Sequence, residues 1–127
     1  LAPSGFSVAG GTASNVVQGL VLGGYVTGTA GLAKSGTGSL LLTDVSNDFS
    51  GGISVTGGVL GATDDLALGA AGNAITLNGT TATFRAADNI VTTRTINFSN
   101  ATAANNVLEV VAGKTLQLNS AFGGANG

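Results

Sequence analysis

The chain has 127 residues, of which 22 are Gly; 8% are charged, 5% are aromatic, and the formal net charge is -2. This length suits one domain. A disordered chain is excluded, since solvation in the unfolded state needs high net charge and few aliphatics. A basic stripe for nucleic acid and a polybasic membrane patch are excluded by the same balance. His and Cys are absent, which removes the Ser-His-Asp triad, the thiol nucleophile and the ordinary zinc site.

Period-two alternation dominates from end to end, and helical periodicity is almost absent. In chain order it predicts strands near Val16-Val17, Leu20–Leu22, Ser39–Thr43, Ile53–Thr56, Val59–Ala62, Ala74–Asn78, Ala82–Ala86, Thr93–Phe98, Val107–Val111 and Thr115–Asn119. Turn formers separate them: Ser46–Asp48, Gly51-Gly52, Gly57-Gly58, Gly69–Asn73, Asn78-Gly79, Asn105-Asn106 and Gly123-Gly124. Gly takes positive φ freely, and Asn or Asp bonds its own backbone. Asp64–Ala71 is the one segment expected to hold a helical turn. The apolar stretch from Gly19 to Leu32 is broken by glycines at 19, 23, 24, 28 and 31, so no membrane-spanning helix is expected. No signal-peptide pattern is visible, and a start at Leu1 suggests a processed product or a slice of a longer chain.

Parity assigns the inward faces. Leu40 and Leu42 share one side of their strand, as do Ile53 and Val55, Ile75 and Leu77, Ala82 and Phe84, Ile96 and Phe98, Leu108 and Val110, and Leu116 and Leu118. Arg85, Arg94 and Glu109 take the opposite parity, which the cost of burying a charge favours. Short aliphatic strands with few aromatics and polar corners indicate a solenoid, in which small side chains stack rung on rung. Ten strands correspond to four or five coils, a rod roughly 20–25 Å long at the spacing of paired strands. Residues 1–127 are read as a single such segment. Residues 1–31 and 97–127 echo each other at an offset of 96, through Leu20/Leu116, Leu22/Leu118, Gly28/Gly124 and Gly31/Gly127.

The strongest motif lies in residues 31–62: Gly31-Leu32-x-Lys34-x-Gly36-x-Gly38-x-Leu40-x-Leu42, then Asn47-x-Phe49-x-Gly51-Gly52, then Val55-x-x-Gly58-x-Leu60. It resembles the passenger-associated repeat of bacterial autotransporters. Phe49 stands where that family usually has Tyr, and Ile53 where it usually has Thr. The resemblance implies an all-β fold, a right-handed parallel β-helix, carried outside a Gram-negative cell by a C-terminal β-barrel. The barrel itself is not legible, because aromatic girdles cannot be built from five Phe and one Tyr.

Candidate chemistry is sparse. Asp64-Asp65 is the one adjacent acidic pair; it reads as a loop cap or solvated turn rather than a catalytic pair or a calcium site. Gly36-x-Gly38 lacks a following Lys and helix, so it reads as a turn and not a phosphate loop, with Lys34 expected at a solvated edge. Thr27/Thr29, Thr81/Thr83 and Thr93/Thr95 are read as outward strand hydroxyls, not as an ice-binding array. Asn78, Asn97 and Asn100 head formal glycosylation triplets, discounted for a bacterial protein. Asn47 and Asn105-Asn106 suggest side-chain amide ladders at corners, and Phe49, Phe84, Phe98 and Phe122 are expected to stack or to plug the core. No catalytic, cofactor-binding or metal residue is assigned, and no cofactor is expected.

The sequence therefore points to a non-enzymatic extracellular scaffold, a passenger segment of an autotransporter-like or adhesin-like surface protein. The expected partners are neighbouring coils of the same or an identical chain, and surface glycans or proteins; nucleic acid and a membrane span are not expected. Two alternatives stand beside it: a filament or sheath subunit stacking end to end, and a carbohydrate-active β-helix enzyme.

Overall fold

The computed structural model describes residues 5–7, 19–99 and 105–124. Strands β1 (Gly5–Ser7), β3 (Leu32–Ser35), β5 (Ile53–Val55), β7 (Ile75–Leu77), β10 (Ile96–Phe98) and β13 (Phe122–Gly123) form the first, six-stranded sheet. A second, five-stranded sheet holds β2 (Gly19–Leu22), β4 (Ser39–Leu42), β6 (Val59–Ala62), β8 (Thr83–Ala86) and β11 (Val107–Val110). A third face carries β9 (Ile90–Thr92) paired with β12 (Leu116–Leu118). Every pairing is parallel, and each strand pairs with its equivalent in the next coil. The architecture is a parallel β-solenoid of about five coils. We number the coils from the strand that opens each in the first sheet, so β3 opens coil 2 and β7 opens coil 4.

Side-chain alternation within each strand produces the interior. Columns run through it in register: Leu32, Ile53, Ile75 and Ile96 from the first sheet, and Leu20, Leu40, Leu60, Phe84 and Leu108 from the second. Beside the latter runs Leu22, Leu42, Ala62, Ala86 and Val110. The inward residues of coils 2 to 4 are sealed, while Leu20 in coil 1 and Val110 in coil 5 remain 41% and 40% exposed. Phe49 and Phe84 plug the core completely, whereas Phe122 is exposed and does not, meeting the half-buried Phe98 with ring centroids 5.8 Å apart.

Most predicted strands coincide with observed ones. Four observed strands lack a predicted counterpart: β1, β3, β9 and β13. The predicted Thr93–Phe98 strand is two features, since β9 ends at Thr92 and β10 begins at Ile96. Residues 93–95 between them are a corner. The Val16-Val17 strand lies outside the described residues. The helical turn expected in Asp64–Ala71 is a 3-10 turn at Leu66–Leu68. The two arms of the 96-residue echo occupy different faces, with Leu20 and Leu22 in the second sheet and Leu116 and Leu118 on the third face.

Candidate functional surface

Two cations that sequence logic places outside are inside. Lys34 is fully buried, because β3 turns Leu32 and Lys34 to the same interior side. Its ammonium donates to Ser35 O (2.8 Å), Gly36 O (2.9 Å) and Gly57 O (2.9 Å). An ammonium has three N–H donors, so the set is complete. Two acceptors belong to the corner of coil 2 and one to coil 3, so the side chain ties consecutive corners together. Burial pushes the Lys34 pKa below its ordinary value of 10.5. Gly58, at φ +64, permits this arrangement; a Cβ there would stand 2.8 Å from the Lys34 Nζ. The expectation of a solvated Lys34 is thus corrected, and the reason is a ring of backbone carbonyls contributed partly by the next coil.

Arg94 corrects the outward parity assignment in the same way. Its side chain is 1% exposed and its Nε lies 2.9 Å from Asp65 Oδ1. One terminal nitrogen donates to Ala70 O and Asn73 O, the other to Asp65 O and Gly69 O. All five guanidinium donors are used. Arg85 and Glu109 do face outward, paired at 3.0 Å on the second sheet. Lys114 pairs with Asp88 at 2.8 Å. All four basic side chains of the chain are therefore engaged within it.

The acids are arranged by the coil repeat. Thr63 N bonds Leu42 O and Ala87 N bonds Ala62 O, which places Asp44, Asp64 and Asp88 at the same corner of successive coils. Each carboxylate accepts a nearby backbone N–H: Ser46 to Asp44 (2.8 Å), Leu66 to Asp64 (2.9 Å) and Asn89 to Asp88 (2.7 Å). These side chains stabilise turns. Asp64 and Asp65 diverge, one to its own turn and the other to Arg94, so the adjacent pair does not converge on a common point. Lys114, followed by the Asn89 backbone, holds the Asp88 pKa below 3.8. Asp48 is lowered by the Thr27 side chain and then by the Tyr25 hydroxyl, which donates to it at 2.6 Å. Among the described residues no group of three or more His, Cys, Asp and Glu could hold a metal ion.

Asparagines, buried at 47 and 73 and half-buried at 106, join the coils at other corners. Asn47 accepts from Val26 N and donates to Ala67 O, spanning coils 1 to 3. Asn106 accepts from Ala82 N and donates to Leu77 O. Asn73, which sequence reading took only as a turn residue, accepts from Gly52 N and donates to Phe49 O and Leu68 O.

The outer faces differ in character. The first sheet presents Ala33, Ser54, Thr76 and Asn97 in one uncharged column, the first three lining a depression of about 360 Å³. The second presents Val21, Leu41, Gly61, Arg85 and Glu109. Leu41 lies over Gly61, where a Cβ would be 3.0 Å from its Cδ1. A shallow depression of about 290 Å³ follows, lined in part by Val21, Leu41, Val59 and Arg85. Thr93 and Thr95 are exposed on either side of Arg94, Thr81 is exposed, and Thr27 and Thr83 are half-buried, so the hydroxyl pairs are spread over several faces. Asn78 is exposed, Asn97 is half-buried, and Asn100 lies outside the described residues. No helix among the described residues is long and apolar enough to cross a membrane.

A stretch of 52 residues, 41% of this chain, is 54% identical to the adhesin BmaC autotransporter of Brucella suis biovar 1 (strain 1330). The match covers 2% of that protein's length. No family model matches the chain, and no solved structure matches it.

Proposed function

We propose that this chain is a passenger β-helix segment of an autotransporter-like surface adhesin, right-handed in its winding and non-enzymatic. Its work is mechanical: to project a surface outside a Gram-negative cell and to hold its shape there. The observation that carries the reading is the unbroken parallel stacking of the two main sheets through every described coil. Each coil stabilises the next, which suits a chain that folds progressively as it emerges. Two further points support it: the similarity to an autotransporter adhesin, and charged side chains that serve turns and neighbouring coils.

The test is made in the bacterium that produces the chain. Protease applied to intact cells is expected to release peptides from residues 31–62, and an antibody to the chain to label unbroken cells. Labelling that appears only after lysis would overturn the extracellular reading. Incubation of the purified protein with acidic polysaccharides is expected to yield no new reducing ends; their appearance would favour the carbohydrate-active alternative.

A further inference from the structure

On the third face, backbone pairing joins coil 1 to coil 2 through Asp48 N to Val26 O (3.1 Å) and Ser50 N to Gly28 O (2.8 Å). It joins coil 2 to coil 3 through Ala70 N to Phe49 O (2.9 Å). It resumes between coils 4 and 5, where β9 pairs with β12. Between residues 64–73 of coil 3 and residues 88–94 of coil 4, the links are made by the Arg94 guanidinium, which takes the carbonyls of Asp65, Gly69, Ala70 and Asn73 and the Asp65 carboxylate. A side chain stands where the neighbouring coils are joined by backbone hydrogen bonds.

We propose that Arg94 is a latch on this seam, and that residues 64–73 open locally when it lets go while the two main sheets stay closed. The segment's other ties run to coil 2, through Ala70 N to Phe49 O and the Asn47 and Asn73 amides, so its hold on coil 4 rests on Arg94. Its internal bonds are short-range: Ala67 N to Asp64 O (3.2 Å), Leu68 N to Asp65 O (3.1 Å), Gly69 N to Leu66 O (3.2 Å) and Asn73 N to Ala70 O (2.9 Å). Single 3-10 turns of this kind have poor hydrogen-bond geometry and little stability of their own. Both ends of the segment are anchored, at Ala62 in β6 and Ile75 in β7, by strands paired on both sides. Phe49 lies under the segment, and Leu68, within it, points inward; both are fully buried. Gly69, at φ +75, rests against the Phe49 ring so closely that a Cβ would be 2.9 Å from it. Opening therefore uncovers an aromatic and a leucine at one defined place. The closed shape of coil 3 is set by a residue of coil 4, 29 positions after Asp65. A chain wound in sequence order acquires that shape only after coil 4 has landed.

Hydrogen exchange read by mass spectrometry on the whole chain tests this. Arg94→Met is expected to speed exchange of the Ala67, Leu68, Gly69 and Asn73 amides by about tenfold or more, as local opening replaces latching, with the amides of β5, β6 and β7 unchanged. Asp65→Asn removes the ion pair but keeps the backbone acceptors, so the same amides are expected to speed up by a smaller factor. Uniform acceleration across all strands in Arg94→Met, or unchanged exchange at 66–73, would overturn the proposal. If Arg94→Met does not fold, the Asp65→Asn variant decides the matter: faster exchange confined to 66–73 supports the latch, and any other pattern refutes it.

Discussion

Replacing Gly58 by Ala tests the Lys34 cage at its tightest point. Gly58 sits at φ +64, where a side chain costs about 1–2 kcal/mol through crowding of Cβ against the backbone. The added Cβ would also lie 2.3 Å from Gly38 O, 2.5 Å from Gly36 O and 2.8 Å from the Lys34 Nζ. The two nearest are backbone oxygens, and Gly36 O is itself an acceptor of the ammonium, so the corner must shift and disturb the Lys34 contacts with it. Losing one hydrogen bond to a charged group costs about 1.5–3 kcal/mol. Together these give a destabilisation of about 2.5–5 kcal/mol, a large fraction of the roughly 5–15 kcal/mol that holds a typical domain folded. Gly57→Ala is the internal control, because its nearest contact would be Gly36 O at 3.3 Å. That contact is relieved by a shift of a few tenths of an ångström, so a loss below about 1 kcal/mol is expected, in the range of a mild steric change. Urea unfolding followed by circular dichroism reads both variants, with unchanged slope and a shifted midpoint. Equal midpoints for the two variants would refute the cage as an energetic feature.

Three other outcomes are expected. Phe84→Ala removes a fully buried ring between Leu60 and Leu108 and should cost about 3–5 kcal/mol, measured by the same unfolding experiment. Exchanging Arg85 and Glu109 for Ala, singly and together, should reveal a coupling below about 1 kcal/mol, since both side chains are over a third exposed to solvent or nearly so, at 35% and 42%. The lowered pKa of Lys34 sets a sign for alkaline stability. Between its folded value and 10.5 the unfolded chain holds more protons, so stability contributed by this group rises with pH across that window. Lys34→Met should abolish that rise, and a rise of the same size in the variant would assign it to another group.

The parity of aliphatic residues made most of the solenoid readable, because each coil repeats a local pattern. Ile53 with Val55, and Ile75 with Leu77, alternate against Ser54 and Thr76, and the structure buries them as that alternation demands. β3 was hidden for a physical reason. Lys34 occupies an inward position there, and an inward Lys breaks the polar-outside pattern on which strand recognition depends. Arg94 was misplaced because the carbonyls that compensate its burial come from residues 65–73. Nothing near Arg94 in the chain signals them. The same gap conceals Asn73, whose amide serves coil 2 as well as its own turn. Charge parity thus holds for Arg85 and Glu109 on the second sheet and fails for Lys34 and Arg94, whose side chains reach backbone carbonyls at the corners.

The connections between the first and second sheets differ in length, from residues 36–38 in coil 2 and 56–58 in coil 3 to 78–82 in coil 4, while the paired strands on either side keep their register. Extra residues are absorbed at the bend and leave the stacked columns undisturbed. Such a molecule tolerates insertion at its bends, so new recognition loops can be grafted there during evolution without redesign of the interior.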